Sequence, residues 1–559
     1  MRSRRVGDAA GTREAVGEKV EVSVLGRRLL FAILPFVILS APSVAAQQAP
    51  LGARISLAWG LPFVGVLLSV VLVPLLAPHF WRDHLGKLAA FWATLFLLPF
   101  AFAHGAGVAV DAVLGVYVAR FIPLIVVLWS AYVIAGGVRL RGRLRGTPVV
   151  NTCILALGAL LASWIGPAAA SLLLIGPLIR ANAWRQKKAH LVVFLIFLVA
   201  NIGGSLTPLG DRALSVGYER GVPFDWASGA MLAPMLACVG ALLVLFFVID
   251  RTLLRREPTR RAPDDGSEQR LGLEGGLNLL LLGGIVVAVL YSGLESRGEL
   301  YWDQARFDRG RGVVTVAETD LTSALLQVRA AAAEDRAGRV DALLVARATV
   351  HGLRAAAFRD AVKGWRLTDR VIWPFIDIVR DGCILLMGVL SLLLGARSRK
   401  RTGGITWAPL LEAGKLFGAI FVTLAPVIAI LQAGALGELG WLAKAVTGPD
   451  GRPVDGVCFW LVGALSSVMD STPVYLAFVD MAGAGPSALA VEFPKALMAI
   501  SAGAVFMGGL TYIGSAHNLV LRSMAVEAGI SMPSFLGYLL KWSLPILAPI
   551  FWVVSLIWF

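Results

Sequence analysis

The chain has 559 residues, of which 57% are hydrophobic and 16% charged, and its mean hydropathy is +0.75. Soluble domains carry about 25% charged residues, so this composition excludes an ordinary soluble protein, as well as a disordered, collagen-like or disulfide-stapled chain. The net charge of +15 comes from short basic clusters between apolar runs, which is typical of cytoplasmic loops rather than of a nucleic-acid-binding surface. We therefore predict an all-α polytopic membrane protein that contacts the lipid bilayer and binds no nucleic acid.

The first 46 residues differ from the rest of the chain. Residues 1–27 are polar, Arg27-Arg28 precede the apolar run Leu29 to Ile38, and Ser43 to Ala46 are small. This order is typical of a secretory signal peptide, and an uncleaved first helix fits it equally well. Both interpretations place Gln47 outside the membrane.

Ten further stretches are apolar and long enough to cross about 30 Å of hydrocarbon. They are residues 55–77, 88–103, 111–137, 189–220, 226–249, 272–294, 371–396, 407–434, 494–527 and 534–558. Two other apolar stretches, 148–180 and 456–482, need a separate interpretation.

Residues 148–180 have a basic cluster at each end, Arg139 to Arg145 before and Arg180 to Lys188 after. Because such clusters mark the cytoplasmic side, a single crossing would place one of them outside. A re-entrant hairpin that breaks at Trp164-Ile165-Gly166-Pro167 places both inside. The remaining spans then alternate so that 456–482 begins and ends outside, with a second break at Met469 to Pro473.

Two glycine-rich segments indicate an internal repeat. Gly203 to Gly210 resembles Gly508 to Gly514 with a gap of one residue, and each follows its hairpin break at a similar distance. Each half then has three spans, a hairpin, a broken span and a final span. Five spans is an odd number, so the second half is inverted relative to the first. Two inverted five-helix repeats, each with a re-entrant hairpin and a broken helix, are typical of secondary transporters.

The predicted organisation has four parts and one insertion. The parts are an N-terminal tail with a signal peptide or first helix (1–46), repeat 1 (47–250), a cytoplasmic linker (251–271) and repeat 2 (272–558). Residues 295–370 are polar and interrupt repeat 2 as an extracytoplasmic, α-rich module. Asp320 is predicted to cap a helix that runs to Trp365. We expect a passive insertion, with partner binding as the alternative.

The candidate binding residues lie at the helix breaks and hairpin tips. Carbonyl and hydroxyl oxygens there suit a small cation, since unwound backbone in hydrocarbon is tolerated only beside protein or a cavity. An Asp near the bilayer centre, as predicted for Asp470, costs about 2.5–3.5 kcal/mol, which favours a functional role. Asp211 either caps the helix after the first break or ligates sodium. The candidate ion- or substrate-binding residues are Asn201, Gly203, Gly204, Ser205, Thr207, Asp211, Asp470, Ser471, Thr472, Gly508, Gly509, Thr511 and Asn518, of which Asp211 and Asp470 are the candidate sodium ligands.

At these residues the chain resembles the ion-transporter superfamily, and within it the putative citrate transport family, whose members are often labelled sodium:proton antiporters. The similar segments are Asn201 to Asp211, Arg180 to Asn182, Phe506 to Gly514 and Met532 to Phe535. The resemblance implies a homodimer that moves its hairpins and broken helices like an elevator. Arg212 and Ala213 stand where the family has two prolines, and Gly166 to Ala170 lack two hydroxyls of its first hairpin tip. These departures indicate that one ion site is altered or lost.

The leading functional hypothesis is a cation/proton antiporter of the bacterial inner membrane, in which Asp211 and Asp470 alternate between a proton and sodium. A cation-coupled transporter of citrate or another carboxylate is the alternative, and a transport-dead scaffold or sensor is a third possibility. The sequence has no nucleotide-binding motif, nucleophile elbow or metal-ligand cluster, so we expect no enzymatic activity. We expect no cofactor apart from transported or coupling Na⁺ and H⁺.

Membrane topology is the first testable prediction. In a chain cleared of its four cysteines, a new cysteine at Leu144 or at Gln186 should react only from the cytoplasmic face, because both flank the same hairpin. A cysteine at Ala330 should react only from outside. Impermeant maleimide applied to right-side-out and inverted vesicles measures this, and opposite faces for positions 144 and 186 would contradict both the hairpin and the inverted repeat.

Overall fold

The computed structural model describes residues 51–141, 144–257, 272–296, 301–331, 335–359, 361–395, 405–483 and 485–559. The signal-peptide region and the basic cluster Arg397 to Arg401 lie outside these residues. The α-helices are Leu51–Arg54, Leu61–Leu76, Pro78–His104, Ala106–Val116, Ile122–Gly136, Pro148–Ile165, Pro167–Ala181, Ala189–Leu198, Arg212–Glu219, Trp226–Arg255, Gly276–Glu295, Gln304–Ala330, Arg336–Arg359, Phe375–Leu394, Ala408–Gln432, Gly440–Val446, Asp455–Ser466, Ser471–Ala482, Pro486–Glu492, Pro494–Phe506, Ala516–Glu527, Phe535–Tyr538 and Leu544–Trp558. Short 3₁₀ turns cover Leu57–Gly60, Ile202–Ser205, Gly434–Leu436 and Met507–Leu510, and π turns cover Tyr117–Phe121 and Leu539–Ser543.

Eight helices in the described part of the chain are long and apolar enough to cross a membrane. They are Leu57–Leu76, Pro78–His104, Ala106–Gly136, Pro148–Ile165, Trp226–Arg255, Gly276–Glu295, Ala408–Gln432 and Phe535–Trp558. This confirms the prediction of an all-α polytopic membrane protein. The second of these helices begins ten residues before its predicted start at residue 88, because its polar first turns are helical too. Phe375–Leu394 is absent from the set, and it carries Asp377, Arg380 and Asp381.

Pro148–Ile165 and Pro167–Ala181 form a hairpin, here named hairpin 1. Gly166 between them has a φ of +84°, a conformation that glycine adopts without steric cost. At the other end, Gly146 N donates to Ala181 O at 3.0 Å. The side-chain amides of Asn151 and Asn182 also exchange hydrogen bonds of 3.1 and 2.8 Å. Both ends of hairpin 1 therefore meet at one place.

Asp455–Ser466 and Ser471–Ala482 form the second pair of short helices, here named hairpin 2. The chain between them, residues 467–470, is not helical. The turn Val446 to Val454 leads into hairpin 2 and is closed by bonds from Val454 N to Val446 O and from Gly448 N to Arg452 O. Hairpin 2 has shorter arms than hairpin 1, with 12 and 12 residues against 18 and 15, and a longer non-helical tip.

Two helices are interrupted in the middle. Broken helix 1 consists of Ala189–Leu198, the turn Ile202–Ser205 and Arg212–Glu219. Broken helix 2 consists of Pro494–Phe506, the turn Met507–Leu510 and Ala516–Glu527. In both, the segment before the break is almost wholly buried, with residues 191–198 and 496–506 all buried. The breaks therefore lie inside the protein, where no solvent satisfies the freed backbone groups.

A threonine staples each break to the hairpin of its own half. The Thr207 hydroxyl donates to Ser163 O, and the Thr511 hydroxyl donates to Ser467 O at 2.5 Å. The Thr207 hydroxyl oxygen also accepts a hydrogen bond from Leu209 N, and the Thr511 hydroxyl oxygen accepts one from Ile513 N, at 3.2 Å each. The acceptor and the donor of the second staple each lie 304 residues after those of the first, since 467 − 163 and 511 − 207 both equal 304.

This offset corrects the repeat alignment that the sequence predicted. With an offset of 304, Gly204 and Gly210 correspond to Gly508 and Gly514, and no gap is needed. The geometry agrees: a methyl group on Gly210 would lie 2.1 Å from Gly204 O, and one on Gly514 would lie 2.4 Å from Gly508 O. The predicted gap arose because the pair Gly203-Gly204 was matched to Gly508-Gly509, although only the second glycine of the first pair is equivalent to Gly508.

One end of the bundle gathers the segments next to the basic clusters. The strand Arg139–Arg141 pairs antiparallel with Gly272–Glu274. Gln186 N and Lys187 N both donate to Glu257 Oε1, at 3.1 and 3.0 Å. The 30-residue helix Trp226–Arg255 runs from here for about 45 Å at 1.5 Å per residue. At its far end Arg220 Nη1 lies 3.9 Å from Asp480 Oδ2 of hairpin 2.

The insertion is a pair of helices, Gln304–Ala330 and Arg336–Arg359, packed through Leu321, Val328, Leu343 and Val350. An antiparallel pair of strands, Gly364–Arg366 and Ile372–Pro374, joins it to the helix Phe375–Leu394. Asp303 caps the first helix by accepting from Arg306 N at 3.2 Å. The predicted cap at Asp320 is therefore wrong, since Asp320 lies within a helix that begins 16 residues earlier. The first turns of this helix contain few apolar residues, so the apolar pattern did not indicate where it begins.

The threonine staples should stabilise the fold. Thr207→Val or Thr511→Val keeps the shape of the side chain but leaves a buried carbonyl without its donor, which costs about 1–3 kcal/mol. We expect a lower Tm in detergent for both variants. Thr315→Val is the matched control, because its hydroxyl bonds an exposed carbonyl within an insertion helix. Equal Tm values for all three variants would contradict the stapling role.

Candidate functional site

Asp211 lies where broken helix 1 resumes, and it contacts the tip of hairpin 2. Its Oδ1 accepts from Ala213 N at 2.8 Å, so Asp211 caps the helix Arg212–Glu219. The Ser471 hydroxyl donates to the same oxygen at 3.4 Å. One carboxylate therefore links the first half of the chain to the hairpin of the second half.

Asp470 precedes the second arm of hairpin 2, and its carboxylate faces the N–H and hydroxyl of Thr472. It lies within electrostatic range of Asp211, Arg120 and Arg212. Asp211, Asp470 and Arg120 are each surrounded by protein, yet each keeps a partly accessible side chain. Charges inside a membrane protein are tolerated where they pair with one another or with other polar groups. Asp211, Asp470 and Arg120 are here named the charge cluster.

Arg120 was not recognised from the sequence as a site residue. It lies in the π turn Tyr117–Phe121, inside a helix that spans the membrane, and π turns are frequent at functional sites. Its Nη1 is buried and has no hydrogen-bond partner among the described residues. The sequence does contain a signal for Arg120: it is an arginine inside the apolar stretch 111–137, and intramembrane charges are rare.

The charges in and around this charge cluster almost balance. Arg212 Nη1 lies 3.6 Å from Glu219 Oε1, and Arg220 is held near Asp480. Arg120 faces Asp470, which in turn lies near Asp211, so the three groups sum to −1 when both carboxyls are ionised. One bound monovalent cation makes the cluster neutral.

The predicted hydroxyls differ in their partners. Ser205 Oγ is buried and without a hydrogen-bond partner in the described part of the chain, the Ser471 hydroxyl donates to Asp211, and the Thr472 hydroxyl faces the Asp470 carboxylate. The hydroxyls of Thr207 and Thr511 donate to the hairpins and accept from backbone N–H groups, as described above. Ser471 and Thr472 are consequently the hydroxyls beside the two carboxylates, and Thr207 and Thr511 shape the breaks.

The predicted amides and glycines hold the two broken helices against each other. Asn201 Nδ2 donates to Asn518 Oδ1 at 3.0 Å, and Asn518 Nδ2 donates to Gly508 O at 3.1 Å. A methyl group on Gly508 would lie 2.7 Å from Asn201 Oδ1, and one on Gly509 would lie 3.3 Å from Asn201 Nδ2. These close approaches require glycine at the second break.

Several carbonyls that the breaks were expected to expose have donors from the protein. Gly203 O accepts from the Ser163 hydroxyl at 2.5 Å, Leu206 O from the Ser228 hydroxyl at 2.7 Å, and Gly509 O from the Tyr538 hydroxyl at 2.7 Å. A methyl group on Gly204 would lie 2.4 Å from Gly210 O, so this turn is tightly closed. The break at residues 203–210 is therefore held by side chains of its neighbours.

His517 follows the second break and has a partner at each ring nitrogen. Its Nε2 lies 2.6 Å from Ala200 O and its Nδ1 lies 2.8 Å from the Ser515 hydroxyl. It links the two broken helices, as Asn201 and Asn518 do. Its position fits the interpretation of a satisfied polar residue.

A second group of charges that the sequence analysis overlooked lies on Phe375–Leu394. Arg380 donates from Nη1 to Asp377 Oδ1 at 2.6 Å and from Nε to Asp381 Oδ1 at 2.8 Å. Glu219, at the end of broken helix 1, lies within electrostatic range of Arg380. This group connects the helix to the charged end of broken helix 1 near Arg212.

No group of three or more His, Cys, Asp or Glu side chains in the described part of the chain is placed to hold a metal ion. A sodium ion at Asp211 and Asp470 would thus need hydroxyl, carbonyl or water oxygens to complete its shell. The hydroxyls of Ser471 and Thr472, which lie beside these carboxylates, are side-chain oxygens of this type.

Comparison with known proteins identifies the family. No curated protein matches the chain at a significant level. A family described as "Putative citrate transport" matches twice, over residues 52–337 and 335–559. The two matches together cover residues 52–559, which include Asp211 and Asp470. The chain therefore belongs to the putative citrate transport family of membrane proteins.

Proposed function

We propose that this protein is a secondary transporter of the bacterial inner membrane in which Asp211 and Asp470 form one exchange site for a proton or a sodium ion. The observation that carries the proposal is the meeting of two carboxylates from different halves of the chain beside one unpaired arginine nitrogen. The family to which the chain belongs supports a transporter rather than an enzyme. Cation/proton antiport is the first candidate activity.

The charge balance favours cation exchange. Two nearby carboxylates repel each other, and at the low effective dielectric of a protein interior this repulsion is stronger than in water. Arg120 offsets one of the two negative charges. A single H⁺ or Na⁺ offsets the other negative charge. The two cations therefore compete for the same site, which is the requirement for exchange.

The same proposal includes two inverted repeats that work by alternating access. It is supported by the shared offset of 304 in the staples and by packing across the halves. A methyl group on Gly217 of broken helix 1 would lie 2.5 Å from the Tyr475 hydroxyl of hairpin 2, and the last segment of broken helix 2 packs on the second arm of hairpin 1. Each hairpin thus touches its own break at one side and the other half's helix at the other, and transporters place their sites at such repeat interfaces.

Membrane orientation and assembly are part of the proposal. The described segments beside the basic clusters at residues 139–145, 180–188 and 251–256 gather at one end of the bundle, which supports a cytoplasmic position for that end and an external position for the insertion. We propose a homodimer, as the family resemblance implies, and the mass of the purified protein in detergent tests it.

Cation-coupled transport of a carboxylate is the second candidate, and two observations favour it. One is the free Nη1 of Arg120, since a guanidinium binds a carboxylate strongly. The other is the description of the family. In this case Asp211 and Asp470 bind the coupling cation and Arg120 contacts the carried anion.

Asp470→Asn tests the exchange site. The amide keeps the shape and caps a helix about as well as Asp, but it removes the negative charge and the proton site. In proteoliposomes with an internal pH dye, sodium-driven proton flux should fall at least about tenfold. A tenfold change corresponds to a loss of about 1.4 kcal/mol of binding free energy. Asp470→Glu should keep part of the flux with a shifted pH optimum.

The control is Asp450→Asn, in the turn before hairpin 2, where the carboxylate is about half exposed. It should leave the flux unchanged. Unchanged sodium/proton exchange in Asp470→Asn would overturn the exchange site, and absence of any flux from the wild-type protein with sodium or with citrate would support the scaffold hypothesis.

Arg120→Gln separates the two candidate activities. If the cargo is a carboxylate, losing the guanidinium should raise KM for citrate uptake by about tenfold or more, because a charge-assisted bond contributes about 1.5–3 kcal/mol. If the protein only exchanges cations, citrate should have no effect on flux in either the variant or the wild type. Arg120→Lys should restore part of the citrate affinity, since it keeps the charge but loses the two-point geometry.

A further inference from the structure

The insertion contacts hairpin 2 through a buried arginine. Arg347, on the helix Arg336–Arg359, is only 4% exposed. Its Nη1 donates to Met481 O at 3.1 Å, at the end of the second arm, and its Nη2 donates to Gly451 O at 3.0 Å, in the turn before the first arm. One guanidinium therefore bridges the two ends of hairpin 2.

Hairpin 1 is closed differently. Its ends are joined by the bond from Gly146 N to Ala181 O and by the paired amides of Asn151 and Asn182. All of these groups belong to the hairpin itself or to its flanking residues. In hairpin 2 the equivalent closure comes from a residue more than 100 positions away, inside a segment that interrupts the repeat.

The backbone of hairpin 2 also fits into the core of the insertion. Gly451 has a φ of +76°, and a methyl group there would lie 3.0 Å from Leu343 and 3.3 Å from Val328. Leu343 and Val328 are fully buried core residues of the helix pair. The turn and the insertion are thus packed as one unit, which is not expected of a passive insertion.

Two further charges lie along this contact. His351 Nδ1 is 2.9 Å from Asp480 Oδ2, and Arg220 of broken helix 1 approaches the same oxygen at 3.9 Å. Burial lowers the pKa of Arg347 to about 10 and Glu492 opposes this shift, so the guanidinium is charged at neutral pH. Both carbonyls at the ends of hairpin 2 therefore face a cation.

We infer that the insertion is a positioning element of the transport unit, in which Arg347 holds the two ends of hairpin 2 together while its tip carries Asp470. The inference rests on the proposed function only in treating hairpin 2 as a moving part. It replaces the expectation that residues 298–366 can be removed without effect. Without Arg347 the two arms separate at their base, and the tip no longer holds Asp470 against Asp211.

The test uses the full chain in proteoliposomes with Cys153 and Cys383 changed to serine. Two buried cysteines remain, Cys458 in the first arm of hairpin 2 and Cys238 in Trp226–Arg255. N-ethylmaleimide modification of each is followed by mass spectrometry. Arg347→Gln should speed modification of Cys458 at least tenfold and leave Cys238 unchanged.

Arg339→Gln is the matched control, since Arg339 lies on the same helix and pairs with Asp335 in an exposed position. It should change neither thiol. Flux measured in the same vesicles should be lower for Arg347→Gln than for Arg339→Gln, because the tip of hairpin 2 no longer holds Asp470 near Asp211. The thiol readout does not depend on the cargo, so it separates failure of this inference from failure of the proposed function.

Gly451→Ala tests the contact from the side of hairpin 2 in case Arg347→Gln does not fold. Its methyl group meets Leu343 and its positive φ is strained, so the insertion should be displaced and Cys458 exposed as in Arg347→Gln. Equal protection of Cys458 in the folded Arg347 or Gly451 variant and in Arg339→Gln would overturn the inference.

Discussion

A helix that breaks inside a membrane protein leaves peptide groups without partners where water is scarce, and each such group is costly. The two broken helices meet this constraint in the same way. A threonine hydroxyl crosses from each break to a carbonyl of the nearby hairpin, and asparagine, serine and tyrosine side chains bind further carbonyls. Because the breaks are satisfied by the hairpins, the position of one depends on the position of the other. Hairpin and break therefore behave as one structural unit in each half.

The same requirement explains why the candidate site lies where it does. Once these break carbonyls are occupied, the polar groups that the proposed site can use among the described residues include the carboxylates of Asp211 and Asp470, the hydroxyls of Ser471 and Thr472, and one nitrogen of Arg120. They come from three separate parts of the chain. In the proposed transport cycle, a movement of hairpin 2 against broken helix 1 changes the geometry of this site and so couples ligand binding to conformation.

Hydropathy and charge patterns were sufficient to predict most of the membrane helices and the helical class, because long apolar runs have few other structures open to them. The glycine and proline residues, which interrupt helices locally, predicted the break positions well. The sequence patterns did not predict the start of the insertion's first helix, which is a polar helix stabilised by packing against its partner. The roles of Thr207 and Thr511 were also beyond the sequence, because a hydroxyl in a break looks the same whether it binds an ion or a distant carbonyl. Arg347 was missed because a charge in the polar insertion is informative only once its depth in the fold is known, whereas Arg120 was overlooked although it lies inside an apolar stretch, where charges are rare.

The offset that relates the two stapled units has a consequence for how many ions one cycle can carry. Applied to the site, it maps Asp470 onto Gly166 and Asp211 onto Ser515. A duplicated ancestor with two identical units would have had two such pairings, hairpin 2 with broken helix 1 and hairpin 1 with broken helix 2. In this chain the first pairing holds two carboxylates and the second holds a glycine and a serine. The two stapled units are therefore alike in their hydrogen bonds and unlike in their charge, and the proposed exchange at the one pair of carboxylates would carry a single charge per cycle.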